Sequence, residues 1–211
     1  MGNQKNKKMK EFEVNATTVY QGHLNVSYRG VTMIKCPFDY VMYQMIVFEL
    51  KPDLVIEIGS NKGGNALYIA DLLNIVGSGE VHTIDIQDGF DELVKNHKRV
   101  KTFTQGYQAY DLELTKGFQN IMVIEDASHT YTDSLACLKL FSPLVSKNSY
   151  YIVEDGIVDK LGMKKQFGGG PKKAIDEFLK TNPGFEIDYR WCNMFGVNAT
   201  FNIKGYLKKV K

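Results

Sequence analysis

The chain has 211 residues, with 26 Lys plus Arg against 24 Asp plus Glu and a formal net charge of +2. That length suits one α/β domain rather than two, and a composition of 44% hydrophobic and 24% charged residues excludes disordered and fibrous chains. Near-neutral charge leaves no footprint for a nucleic-acid partner, and no apolar run approaches the ~20 residues of a membrane span.

Residues 1–19 read as a polar tail with lysines at 5, 7, 8 and 10, and residues 20–211 as a single domain whose N-terminal arm and helix occupy 20–50. Three scattered cysteines, Cys36, Cys137 and Cys192, make no disulfide framework and fit a reducing cytoplasm. The arm, 20–36, reads as irregular. Pro37 opens a helix, because its fixed φ suits a first helical position. Phe38, Val41, Met42, Met45, Ile46 and Phe48 then follow at helical spacing, and Lys51-Pro52 ends it.

From there strand and helix patterns alternate. Strands are expected at Leu54 to Ile58, Val81 to Ile86, Val100 to Thr104, Ile121 to Glu125 and Tyr150 to Val153. Helices are expected at Asn65 to Ile75, Phe90 to Asn96, Asp111 to Phe118, Tyr131 to Leu144 and Lys172 to Lys180. Short apolar strands between helices signal a parallel sheet covered on both faces. Two last runs, Phe185 to Trp191 and Val197 to Ile203, read as a closing antiparallel hairpin.

Chemistry concentrates at the strand ends. After the first strand comes Glu57-Ile58-Gly59-Ser60-Asn61-Lys62-Gly63-Gly64. Glycines at a strand-to-helix turn let a ligand approach the backbone, and a helix N-terminus offers free N–H groups. With Ser60 and Asn61 in the middle it is not a dinucleotide fingerprint, and it lacks the Gly-Lys-Ser/Thr of a P-loop. It resembles the S-adenosylmethionine loop of class I methyltransferases. The plainer alternative is a turn whose glycines serve packing alone.

Asp85 ends the second strand, where an acid can accept hydrogen bonds from both ribose hydroxyls of a nucleoside or simply cap the next helix. Asp126 follows the fourth strand, and Glu154 and Asp155 follow the fifth. In a parallel sheet these ends share one edge. Three carboxylates brought together there need a cation, and oxygen donors suit Mg²⁺, with Ca²⁺ or Mn²⁺ as alternatives. Glu125 should point to the opposite face. His129, three residues past Asp126, is a candidate base.

Tyr28-Arg29-Gly30, Lys35-Cys36-Pro37-Phe38-Asp39, Lys51 to Ser60, Asp126 with His129-Thr130-Tyr131, and Val153-Glu154-Asp155 together resemble the cephalosporin hydroxylase-like (rhamnosyl O-methyltransferase) family, from about residue 20 to the end. The resemblance implies a Rossmann-like class I methyltransferase fold with a seven-stranded sheet, S-adenosylmethionine as cofactor and a magnesium ion on Asp126, Glu154 and Asp155. It implies cofactor contacts at Glu57, Gly59, Ser60, Gly63, Gly64, Asp85, Gly106 and Asp126, and a homo-oligomer. It departs after strand three, where Gly106-Tyr107-Gln108 replaces the family's Gly-Asp-Ser. No iron triad or flavin fingerprint supports a hydroxylase.

The expected reaction is methylation of a small-molecule hydroxyl, with Asp126 or His129 as base. Tyr20, Tyr28, Lys35 and the Gly168 to Gly170 loop are candidates to cover the substrate. The competing reading is a non-catalytic S-adenosylmethionine-binding partner subunit of a biosynthetic enzyme.

Overall fold

The computed structural model describes residues 14–211, so the lysine-rich start expected as a tail lies, up to residue 13, outside the described residues. A first helix, α1 (Ala16–His23), is capped by Asn15, whose side chain accepts from Thr18 N. A small hairpin follows, β1 (Ser27–Tyr28) and β2 (Val31–Thr32). Its two-residue loop, Arg29 and Gly30, has φ of +51° and +85°, the twist a tight hairpin demands. The arm expected to be irregular is thus a helix and a hairpin.

Helix α2 (Pro37–Leu50) leads into β3 (Leu54–Ile58), α3 (Gly64–Val76), β4 (Glu80–Ile84), α4 (Glu92–Lys95), β5 (Val100–Phe103) and β6 (Ile121–Glu125). After these come α5 (Tyr131–Phe141), β7 (Tyr150–Val153), α6 (Gly170–Thr181), β8 (Phe185–Ile187), α7 (Tyr189–Cys192) and β9 (Tyr206–Lys209). The helix expected over 111–118 is only a 3₁₀ turn, Leu112–Thr115. Strand β4 stops at Ile84 because the Asp85 carboxylate accepts from Ile86 N and Gln87 N and turns the chain.

The strands form one seven-stranded sheet in the order β5-β4-β3-β6-β7-β9-β8. Strands β3 to β7 pair in parallel, and β9 runs antiparallel to both β7 and β8. Alternate residues feed two cores. Val55, Met122, Ile124, Tyr150 and Ile152 pack on the side of α2 and α3, while Leu54, Ile56, Val123, Tyr151 and Val153 pack towards α5 and α6. Strands buried on both faces need apolar residues at every position, which is why they read as unbroken runs.

The closing hairpin exists, but its second strand is Tyr206–Lys209 and not Val197 to Ile203. Gly196, Asn198 and Lys204 all take positive φ, which an extended strand cannot hold. Residues 200–201 instead anchor to the buried Asp39 carboxylate, which accepts from Thr200 Oγ1 and from Phe201 N at 2.9 Å. Likewise Phe185 to Trp191 splits at Asp188, which caps α7 by accepting from Arg190 N.

Gly64 shows how the arm docks. A Cβ there would lie 2.4 Å from the Thr32 carbonyl oxygen, so β2 sits directly on the start of α3. Gly64→Ala is therefore expected to cost about 2 kcal/mol through overpacking. Gly22→Ala, with nothing within 4 Å of the new Cβ, should stay within about 1 kcal/mol of the parent. Denaturant titration of both variants checks this, and equal stabilities would contradict the docking.

Candidate active site

The carboxyl ends of β3, β4 and β6 and the arm enclose a cavity of about 440 Å³. It opens between the ends of β3 and β6, where the strand order reverses, the topological switch point at which α/β sheets bind ligands. Gly59 forms its floor. The glycine has φ +87°, and a Cβ on it would lie 2.2 Å from the Asp126 carbonyl oxygen. The two strand ends therefore approach too closely for any side chain.

One end of the cavity is suited to a nucleoside. Ile86, Gly106, Tyr107 and Gln108 line it, and Ile86 is 74% exposed, an apolar surface free for a flat ring. Asp85 stands beside them. Its Oδ2 accepts from Ser60 N and Asn61 N at 3.0 and 2.8 Å, so it shapes the loop as well as facing the cavity. Glu57 is buried and accepts from Asn65 Nδ2 and Thr83 Oγ1, with burial pushing its pKa up. Ser60 closes the same network through Thr83.

The other end carries the charge. Asp126, His129 and Asp155 each offer one ligand atom, and these lie within 4.8 Å of one another. His129 Nε2 is 3.3 Å from Asp155 Oδ2, and Nδ1 is 3.9 Å from Asp126 Oδ1. Their side chains are 21–25% exposed, open enough for a ligand. His129 and Asp155 hold φ of +55° and +56°. Such backbone costs of order 1–3 kcal/mol per residue and persists only where the fold enforces it. Burial raises the Asp155 pKa, and His129 pulls it back.

Glu154, expected beside them, is instead held by Lys35, which bridges it to Asp126. Glu154 continues the β7 alternation towards α2, is 4% exposed, and accepts from Lys35 Nζ and from Tyr43 OH, the latter at 2.6 Å. Lys35, 1% exposed, also donates to Asp126 Oδ2 at 2.9 Å. Burial alone would lower the lysine pKa, but the Asp126 and Glu154 charges outweigh it and keep the ammonium protonated. Lys35 is thus an internal counter-ion and does not cover a substrate.

Other expected residues also lie elsewhere. Gly63 and Gly64 line none of the cavity: a Cβ on Gly63 would meet Val94, so both serve packing. Tyr28 donates to Asp71 on the surface of α3, and Tyr20 packs on His23 and Phe201. Glu125 points to the α5 face, as alternation predicts, and burial pushes its pKa up to about 7. Met33 and Ile34, in the arm, form a cavity wall. A β-branched Ile34 at φ +44° is a backbone outlier that no sequence pattern announces.

This strand order and this cavity define a class I methyltransferase-like architecture. The Rhamnosyl O-methyltransferase/CmcI family model matches residues 20–210. The rhamnosyl O-methyltransferase of Mycobacterium leprae is 30% identical over 189 residues, covering 86% of this chain and 82% of that protein. Its Mycobacterium tuberculosis counterpart is 31% identical over 195 residues, covering 87% and 80%. A solved CmcI structure described as an Mg-SAM complex superposes with TM-score 0.67 at 22% identity, over 89% of this chain and 78% of that one. The O-methyltransferase TomG from Streptomyces achromogenes, in complex with SAM, gives TM-score 0.56 at 14% identity, over 92% and 89%. The chain belongs to the Rhamnosyl O-methyltransferase/CmcI family and is an S-adenosylmethionine-dependent O-methyltransferase acting on a small-molecule hydroxyl. Among the described residues no helix is long and apolar enough to cross a membrane.

The geometry separates the acidic pair after β7. Asp155→Asn is expected to weaken Mn²⁺ binding by more than about 10-fold, whereas Glu154→Gln should stay within about threefold. Glu154→Gln should instead lose about 3 kcal/mol of stability, because Lys35 loses a buried partner. Calorimetric Mn²⁺ titration with parallel unfolding curves reads both, and the reverse ranking would return Glu154 to the metal set.

Proposed function

We propose that Asp126 and Asp155 hold a divalent cation at the charged end of the cavity, that His129 takes the acceptor proton, and that the acceptor is a sugar-like or catechol-like hydroxyl, one of a vicinal pair. The observation that carries this reading is the convergence of Asp126, His129 and Asp155 within 4.8 Å at one end of a cavity whose other end is lined by Asp85, Ile86, Gly106 and Tyr107.

The donor chemistry fits the cation. Two carboxylates suit Mg²⁺, and the neighbouring imidazole admits Mn²⁺ equally well. The Mg-SAM form of the CmcI relative supports the same choice. When bound, the ion acts as a Lewis acid that lowers the pKa of a hydroxyl, and S-adenosylmethionine carries the methyl group on an electrophilic sulfonium. The mycobacterial relatives act, by name, on a rhamnosyl group, which favours a sugar hydroxyl here.

The chain's own residues do the rest. Asp155 Oδ2, 3.3 Å from His129 Nε2, orients the ring, while Nδ1, 3.9 Å from Asp126 Oδ1 and outside hydrogen-bond distance, is the nitrogen free to take the acceptor proton. Gly59, Asp85 and Asp126 fix the cofactor end relative to the acceptor end. Much of the rate advantage comes from that alignment, since effective molarities for well-oriented groups reach about 10⁵–10⁸ M. Met33, Ile34, Ile58 and Ala127 supply apolar wall to the same cavity and reduce water access.

A cavity of this size supports a small-molecule acceptor and not a nucleic acid. We place the enzyme in the cytoplasm as a homo-oligomer. The outward α2 face, with Val41, Met45 and Phe48 each at least 40% exposed, supports self-association.

His129→Ala separates base from ligand. It should leave Mn²⁺ affinity within about threefold while lowering kcat by about 10²–10⁴-fold. Loss of the metal along with turnover would make His129 a ligand instead. Wild-type protein that fails to bind S-adenosylhomocysteine at millimolar concentration would contradict the cofactor assignment itself.

A further inference from the structure

Asn65 sits in the first turn of α3, eight residues beyond Glu57, and its side chain has a partner on one side only. Its Nδ2 donates to Glu57 Oε1 at 2.8 Å, while its Oδ1 has no hydrogen-bond partner. Asn65 is 5% exposed and lines the active-site cavity. Among the described residues it is the one cavity-lining side chain with an orphaned buried polar atom.

The orientation of this amide is not free. Both Glu57 oxygens are already acceptors, one for Asn65 and one for Thr83 Oγ1. A carboxylate only accepts, so the NH₂ end of Asn65 must face Glu57 and the carbonyl end must face away. A buried acceptor left unpaired costs about 1–3 kcal/mol, and native proteins rarely tolerate that without a ligand or water.

The surroundings select the donor that would pair with it. Glu57 touches the amide directly, and Asp126 lines the same cavity. Among the described residues no lysine or arginine lines the cavity, and the buried Lys35 is already committed to Asp126 and Glu154. A carbonyl oxygen among carboxylates favours a cationic donor.

We propose that Asn65 Oδ1 accepts a hydrogen bond from the α-ammonium group of the cofactor's amino-acid end, with Glu57 acting through Asn65 as a positioning residue. This deepens the S-adenosylmethionine assignment and rests on it. Glu57, expected from sequence to touch the cofactor, reaches it through this amide.

The test compares two thioether ligands in the 211-residue chain by calorimetry. One is S-adenosylhomocysteine. The other is 5′-S-(3-carboxypropyl)-5′-thioadenosine, which keeps the nucleoside, sulfur and carboxylate and lacks only the amine. Wild type should bind the amine-bearing ligand about 10- to 100-fold more tightly, the range for a hydrogen bond to a charged group. Asn65→Ala should erase most of that preference by weakening S-adenosylhomocysteine alone. Equal weakening of both ligands, or no weakening of either, would overturn the proposal. Should Asn65→Ala fail to fold, the near-isosteric Asn65→Leu is expected to erase the same preference, and a preference kept at its wild-type size would overturn the proposal. Wild type binding neither ligand would instead bring down the cofactor reading, and this inference with it.

Discussion

A single buried ammonium holds the charged end of this molecule together. Lys35 leaves the arm, enters the interior and bridges Asp126 at the end of β6 to Glu154 at the end of β7. Taking an ion pair out of water costs several kcal/mol per ion, which is recovered only with close geometry and further hydrogen bonds. The structure supplies both. Tyr43 donates to Glu154, Asn202 donates to Tyr43 OH at 3.2 Å and to Tyr206 OH at 3.3 Å, and Tyr206 donates to Asp39 at 2.9 Å. One polar network thereby ties the arm, α2, two strand ends and the C-terminal segment to the active-site rim.

That network also explains the charge available at the rim. Lys35 offsets Glu154 and occupies one oxygen of Asp126, leaving Asp126 Oδ1 and Asp155 to face the cavity with His129 between them. The remaining negative charge is what a divalent cation would neutralise. At the opposite end Ile86 and Tyr107 present apolar and aromatic surface. The same cavity therefore has a charged end and an apolar, aromatic end, joined by the bare backbone of Gly59.

Much of the fold was legible because its strands are doubly buried. Leu54 to Ile58, Ile121 to Glu125 and Tyr150 to Val153 read as strands and are strands with those bounds. The glycine turn, Asp85, Asp126, His129 and Asp155 were legible as residues at strand ends. What sequence could not give was direction. Glu154 and Asp155 are adjacent acids. Alternation sends Glu154 to the α2 face, and only a left-handed backbone at Asp155 swings the second acid to the rim. The arm was opaque for a similar reason: Ile34 takes a conformation its type disfavours, so no local pattern predicts that Met33 and Ile34 form a wall or that Lys35 is internal. The alternating apolar and polar residues at 197–203 suggest a strand but pack as a loop around Asp39, a tertiary contact that overrides β propensity.

The proposed ion site lies between Asp126 and Asp155, with Glu154 left to Lys35. Anomalous diffraction from crystals grown with Mn²⁺ and S-adenosylhomocysteine tests it most directly. The expected result is a manganese peak between the Asp126 and Asp155 carboxylates, with adenine against Ile86 and Tyr107 and the Lys35–Glu154 pair intact. A peak on Glu154 with Lys35 displaced would contradict it.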